Sequence, residues 1–82
     1  MPLISSFYGL EISFRFNDHE PPHVHVWHEG DTSMVSIETG EVMQGNLKGA
    51  GKNMIKDWVT MHHDELMEIW ETKETKSIPP LE

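Results

Sequence analysis

The chain contains no cysteine. This absence excludes a disulfide framework, zinc sites built on thiolates and a cysteine nucleophile. The sequence also lacks an apolar run near the ~18 residues that a membrane-spanning helix requires, and its first residues lack the pattern of a secretory signal. We therefore expect a soluble, cytoplasmic protein with no membrane partner.

Basic residues are scarce as well. The chain has six Lys and Arg and fourteen Asp and Glu, which gives a formal net charge of -8. Arg15 is the only Lys or Arg within 1–46. Because Lys and Arg contacts with phosphates dominate nucleic-acid affinity, this composition argues against direct nucleic-acid binding. It favours a small protein partner with a basic surface, and the small size of the chain is compatible with a homo-oligomer.

The first half of the chain has the period-two pattern of β-strands. Apolar and polar residues alternate from Leu10 to Phe16, which predicts a strand over 10–16. Residues 3–7 are predicted to be its hairpin partner across Tyr8-Gly9, where glycine accepts the positive φ of a tight turn. The remaining predicted strands are 23–27, 34–38 and 41–44.

The hydrophobic period changes to that of a helix from Asn46 onward. The apolar stripe of this helix consists of Ile55, Trp58, Val59, His62, Leu66 and Trp70. A break is predicted within 60–64. We predict one α+β domain over 1–75, in which a mostly antiparallel sheet of four to five short strands packs against a long C-terminal helix, and a frayed or extended tail over 76–82.

Four of the six histidines lie within 19–28, and one of them, His23, directly follows two consecutive prolines. Strand alternation places His23 and His25 on one face, about 6.5 to 7 Å apart at Cα, so that both imidazoles can reach one ion. Histidine is the commonest metal ligand. The spacing therefore predicts that His23 and His25 hold a divalent metal, zinc or a similar ion. A third ligand has to come from elsewhere: His19 if the loop doubles back, or else Asp18, Glu20 or a residue of the helix.

Two other interpretations of this motif stay open. In a small metal-free hydrolase or nuclease, His23 or His25 would be the general base, and Asp18 or Glu20 would orient it. In a structural motif, the histidines would instead bond to backbone groups of the loop. No reaction is specified by the sequence, so whether the protein is an enzyme stays undecided. The residues predicted to bind a ligand or support the loop are Asn17, Glu20, Pro21, Pro22, Trp27 and His62.

Motifs across residues 2–75 resemble the bacterial family catalogued as domain of unknown function 4160. The residues that carry the resemblance are Ile4-Ser5, Phe7-Tyr8-Gly9, Phe16-Asn17-Asp18-His19, Pro21-Pro22-His23, His25, Ile37-Glu38-Thr39-Gly40, Gly45-Asn46-Leu47, Trp58, His62 to Leu66 and Trp70. The segment from Asn17 to His25 is the most specific part of the match.

The resemblance implies a short bacterial protein encoded beside another small domain, an arrangement similar to that of toxin-antitoxin pairs. On this basis we expect a small cytosolic component of a two-gene, toxin-antitoxin-like system, whose histidine motif binds a divalent metal or a polar ligand. The alternative is a non-enzymatic, acidic protein-binding module in which the histidine motif is structural.

Overall fold

The structure is a computed structural model that describes residues 3–15, 19–74 and 76–81. Five strands form one antiparallel sheet in chain order, and two helices follow them, which confirms the predicted α+β class. The strands are β1 (Leu3–Phe7), β2 (Leu10–Ser13), β3 (His23–His28), β4 (Asp31–Ser36) and β5 (Val42–Gln44). The helices are α1 (Gly49–Met61) and α2 (His63–Thr72).

The first hairpin forms where the sequence predicts it. Tyr8 and Gly9 have φ values of 50° and 79°, the positive values that a two-residue turn between right-twisted strands requires. The second strand is shorter than predicted, because its ladder with β3 ends at the pair Ser13 and His25. Phe14 is nevertheless buried, so the apolar alternation continues beyond the last strand residue.

The hydrophobic core lies between one face of the sheet and the two helices. Alternate strand residues point to this face, as the period-two pattern predicts. The buried residues of the sheet include Leu10, Ile12, Val24, Val26 and Val35, and those of the helices are Ile55, Trp58, Val59, Leu66, Ile69 and Trp70.

The predicted helix break is present at His62, which lies between α1 and α2 with φ and ψ of -108° and 24°. Its backbone N–H donates to the carbonyl of Trp58, and its ring lies against the Trp58 indole. The helical region therefore consists of two shorter helices rather than one long one. In the part of the chain that the structure describes, no helix is both long and apolar enough to cross a membrane.

The tail over 76–81 has no helix or strand, yet it packs against the rest of the domain. Ile78 is buried in the core, and its N–H donates to the carbonyl of Ile4. The indole Nε1 of Trp58 donates to the carbonyl of Pro79. The contribution of Ile78 to the core was not predicted from the sequence.

Candidate functional site

The rings of His23 and His25 lie side by side at the start of β3. Their centroids are 5.1 Å apart and their planes are inclined at 69°. Both residues are buried, with 2% of His23 and 4% of His25 exposed. Strand parity thus predicts their adjacency correctly, but not their burial.

His23 connects three parts of the fold. Its Nδ1 lies 2.8 Å from the carbonyl oxygen of Pro21, so the ring can donate a hydrogen bond to the loop that precedes β3. The same ring packs against the indole of Trp70 near the end of α2, at a centroid distance of 5.2 Å. The loop, the central strand and the second helix therefore meet at this side chain.

Glu20 and Trp70 provide a second link between the loop and α2. The indole Nε1 of Trp70 donates to Oε1 of Glu20 over 3.2 Å, and the Nζ of Lys73 lies 4.3 Å from the centre of the Trp70 ring. The loop is also fixed from its other side, because the Ile37 N–H donates to the carbonyl of Pro22. The peptide bond between Glu20 and Pro21 is cis.

The other residues predicted for the site are placed differently. His19 is exposed, whereas His23 and His25 are buried, and Asn17 and Asp18 lie outside the described residues. Within 3–15, 19–74 and 76–81, no three His, Asp or Glu side chains form a group that could hold a metal ion. Metal binding and catalysis by the motif stay predictions.

His62, one of the residues predicted to bind a ligand or support the loop, lies at the junction between the two helices. Its Nδ1 lies 2.7 Å from Oε1 of Glu65 in the first turn of α2. Its ring lies 5.3 Å from that of Trp58. These contacts are all with the two helices, so they favour a structural role at the break between them.

A second surface lies on the sheet face opposite the helices. Glu11 and Trp27 are register partners in β2 and β3, and Leu3 is the partner of Ser13 across β1 and β2. These four residues line one shallow cleft, which we call the open face. Two large apolar side chains are exposed there, since 56% of Leu3 and 43% of Trp27 is accessible.

The open face carries negative charge. Glu11 is exposed, and it forms no ion pair with any residue that the structure describes. Lys56 pairs with Glu41 at 3.4 Å, and Lys76 with Glu68 at 3.8 Å, so these two lysines neutralise acids elsewhere. An apolar surface with an uncompensated carboxylate is suited to a partner that is both apolar and cationic.

The sequence analysis lists Trp27 among the residues that bind a ligand or support the loop, and it does not single out Leu3. Period-two parity alone would have suggested Trp27 as an exposed residue, because Val24 and Val26 occupy the opposite face. The position of Leu3 depends on an irregularity between Leu3 and Ser5 in the pairing of β1 with β2. No residue type in the sequence marks that irregularity.

Comparison with protein-family models gives a match over most of the chain. The family model described as Domain of unknown function (DUF4160) matches residues 9–71, about three quarters of the chain. This segment contains the histidine motif, four of the five strands and nearly all of both helices. No curated protein and no solved structure matches the chain. The chain belongs to the DUF4160 family, whose description assigns no activity.

Proposed function

We propose that this member of the DUF4160 family is a non-catalytic protein-binding module, and that its open face binds a cationic segment of a small protein partner. The observation that carries the proposal is the pair of exposed apolar side chains, Leu3 and Trp27, beside Glu11, whose carboxylate has no ion-pair partner among the residues that the structure describes. The histidine motif supports the surface from the end of the sheet.

The exposure of Trp27 supports a binding role for this residue. Trp58 and Trp70 are buried, with 0% and 5% exposed, because the core of a small domain gains most from large aromatic side chains. Tryptophan is also enriched among the residues that dominate the binding energy of protein interfaces. A half-exposed tryptophan beside an exposed leucine is therefore suited to insertion into a partner.

The charge of the chain defines the chemistry of that partner. Glu11 lies within 1–46, where seven acidic residues accompany Arg15 alone. Complementary charge accelerates the encounter and selects against acidic partners. We therefore expect Lys or Arg in the partner, next to a large apolar side chain that packs on Trp27.

The burial of the two histidines supports a structural role for them. A general base must come within hydrogen-bond reach of its substrate, and 2% of His23 and 4% of His25 is exposed. The contacts of His23 with Pro21 and Trp70 give the ring a role in joining the loop to α2.

The family resemblance suggests where the partner is encoded. In a two-gene, toxin-antitoxin-like system of the bacterial cytoplasm, the partner would be the small protein of the neighbouring gene. On our proposal it would present a basic surface to the open face.

Selection from a random peptide display library on the full-length protein tests the proposal. We expect the enriched peptides to combine Lys or Arg with a large apolar residue, and Trp27→Ala or Glu11→Lys to weaken them at least about tenfold. The matched controls are Tyr8→Ala, which removes another exposed aromatic ring, and Glu71→Lys, which makes the same charge reversal on α2. Enrichment of neutral or acidic peptides, or binding that Trp27→Ala leaves unchanged, would reject it.

The adjacency of the two rings favours divalent metal binding as a second candidate function. Two imidazoles that bind one tetrahedral ion at about 2.0 to 2.1 Å have ring centres roughly 5 Å apart, and those of His23 and His25 are 5.1 Å apart. His19 or Asp18 would have to supply a further ligand. Elemental analysis of untagged protein tests this candidate: stoichiometric metal that a His23→Gln, His25→Gln double variant loses supports it, and no metal in either protein rejects it.

A further inference from the structure

The strand β1 is an edge of the sheet, with β2 on one side only. Its five residues, Leu-Ile-Ser-Ser-Phe, carry no charge in a chain whose net charge is -8. An uncharged edge strand with free backbone groups readily pairs with another chain, and proteins usually protect such edges with charged residues, proline or a covering segment. The opposite edge, β5, has three residues and needs less protection.

The tail covers the β1 edge. The Ile78 N–H donates to the Ile4 carbonyl over 2.9 Å, and the Ile78 side chain is buried. A groove between the two segments is lined by residues of β1 together with Ser77, Ile78 and Pro80. The Trp58 indole fixes the next residue through the carbonyl of Pro79.

The composition of the tail prevents it from acting as a sixth strand. Pro79 and Pro80 follow Ile78 directly, and proline has no N–H to donate to a ladder. Among the described residues, the bond from Ile78 to Ile4 is the only backbone hydrogen bond between the tail and β1. The tail therefore blocks the edge without extending the sheet.

The first hairpin leaves further backbone groups of β1 directed outward. Phe7 and Leu10 flank the two-residue turn, and residues in that position exchange both backbone hydrogen bonds across the ladder. The next residue, Ser6, consequently directs its N–H and its carbonyl away from β2. These groups are on the side where another strand would add.

We infer that residues 76–81 form a removable edge cap, which prevents β1 from pairing with β1 of a second copy of this chain. Antiparallel pairing of β1 with itself obeys twofold symmetry, because each copy presents the same edge. Because β1 is uncharged, pairing through it brings no like charges of the two strands together, although each copy has a net charge of -8. Such pairing would also place two open faces on one side of a continuous sheet. The inference does not depend on what the open face binds.

Full-length variants test the cap through the mass in solution, measured by light scattering during size-exclusion chromatography. Ile78→Asp removes the apolar anchor of the tail and is expected to double the mass. Ser77→Asp adds the same charge at the adjacent exposed position, and the mass of wild type is expected. Adding Ser6→Pro to Ile78→Asp deletes the outward N–H of β1, so the mass should return to that of wild type.

A folded Ile78→Asp variant with the wild-type mass would overturn the inference, as would a dimer that Ser6→Pro does not dissociate. Hydrogen exchange on the unmodified protein gives a second test, which holds even if Ile78→Asp fails to fold. The Ile78 amide is expected to exchange at least about tenfold faster than the amides of β3, because a removable cap opens without global unfolding. Equal exchange rates would show that the cap does not open separately.

Discussion

At the scale of single residues, the contacts of the His23 ring explain why a histidine follows the two prolines. The ring is close enough to donate to Pro21 and packs on Trp70, so one side chain satisfies a loop carbonyl and fills space between sheet and helix. Aliphatic residues could fill the space but could not satisfy the carbonyl. The pair His23 and His25 therefore has a physical reason to exist apart from catalysis.

Removing this ring should destabilise the fold. We expect His23→Ala to lower the free energy of unfolding by about 2 to 4 kcal/mol, because it leaves a cavity and an unpaired carbonyl. His23→Phe, which keeps the ring contact with Trp70, should cost about 1 to 2 kcal/mol. The exposed His19 is the control, and His19→Ala should change stability by less than about 0.5 kcal/mol. Urea unfolding measures all three, and an unchanged stability of His23→Ala would contradict the structural role.

The sequence predicts the location of the histidine pair but not its surroundings. The parity of a strand is a local property, so the adjacency of His23 and His25 follows from their spacing alone. The contacts of Glu20 and His23 with Trp70 join residues about fifty positions apart. Such contacts depend on how the helices pack, which no local pattern specifies, and this is why the burial of the rings was missed.

At the scale of elements, the first turn of α1 contains two glycines, Gly49 and Gly51, that differ in backbone conformation. Gly49 has a φ of 66°, in the left-handed region that side chains avoid, whereas Gly51 lies within the helix without a positive φ. A Cβ at Gly51 would lie 3.3 Å from the Cδ1 end of Leu47, a side chain that can rotate away.

The same substitution at these two positions should therefore change stability in opposite directions. Gly51→Ala should stabilise the protein by up to about 1 kcal/mol, the helix propensity difference between alanine and glycine. Gly49→Ala should destabilise it by about 1 to 2 kcal/mol, the cost of a left-handed conformation. Thermal and urea unfolding of both variants check the signs. Stabilisation by both substitutions, or destabilisation by both, would contradict the opposite backbone requirements of Gly49 and Gly51.

Most elements could be predicted because their signals are local. The alternation around Leu10 and Ile12 and the Tyr8-Gly9 turn define the first hairpin without reference to the rest of the fold. Continued from that turn, a regular register would pair Leu3 with Phe14, but the irregularity in β1 pairs it with Ser13 and exposes it. Ile78, a lone apolar residue beside two prolines, gave no periodic signal of its burial.

At the scale of the whole molecule, the uneven charge should make binding sensitive to salt. Raising NaCl from about 50 mM to about 500 mM shortens the screening length severalfold, so the affinity for a selected cationic peptide should fall. Glu11→Gln should flatten this dependence because it removes the carboxylate at the open face. Trp27→Ala should lower the affinity at every salt concentration and keep the slope. Isothermal titration calorimetry measures both effects, and an affinity independent of salt would contradict a cationic partner.

The most direct test asks where on the molecule the partner binds. Backbone amide shifts of nitrogen-15-labelled, full-length protein, followed by NMR during titration with a selected cationic peptide, locate the contact residue by residue. Binding at the open face predicts that the largest shifts fall on Leu3, Glu11, Ser13 and Trp27, while the amides of His23 and Trp70 change little. The largest shifts at His23 and Trp70, with the open face unaffected, would contradict the account and would indicate that the partner binds beside the histidine pair.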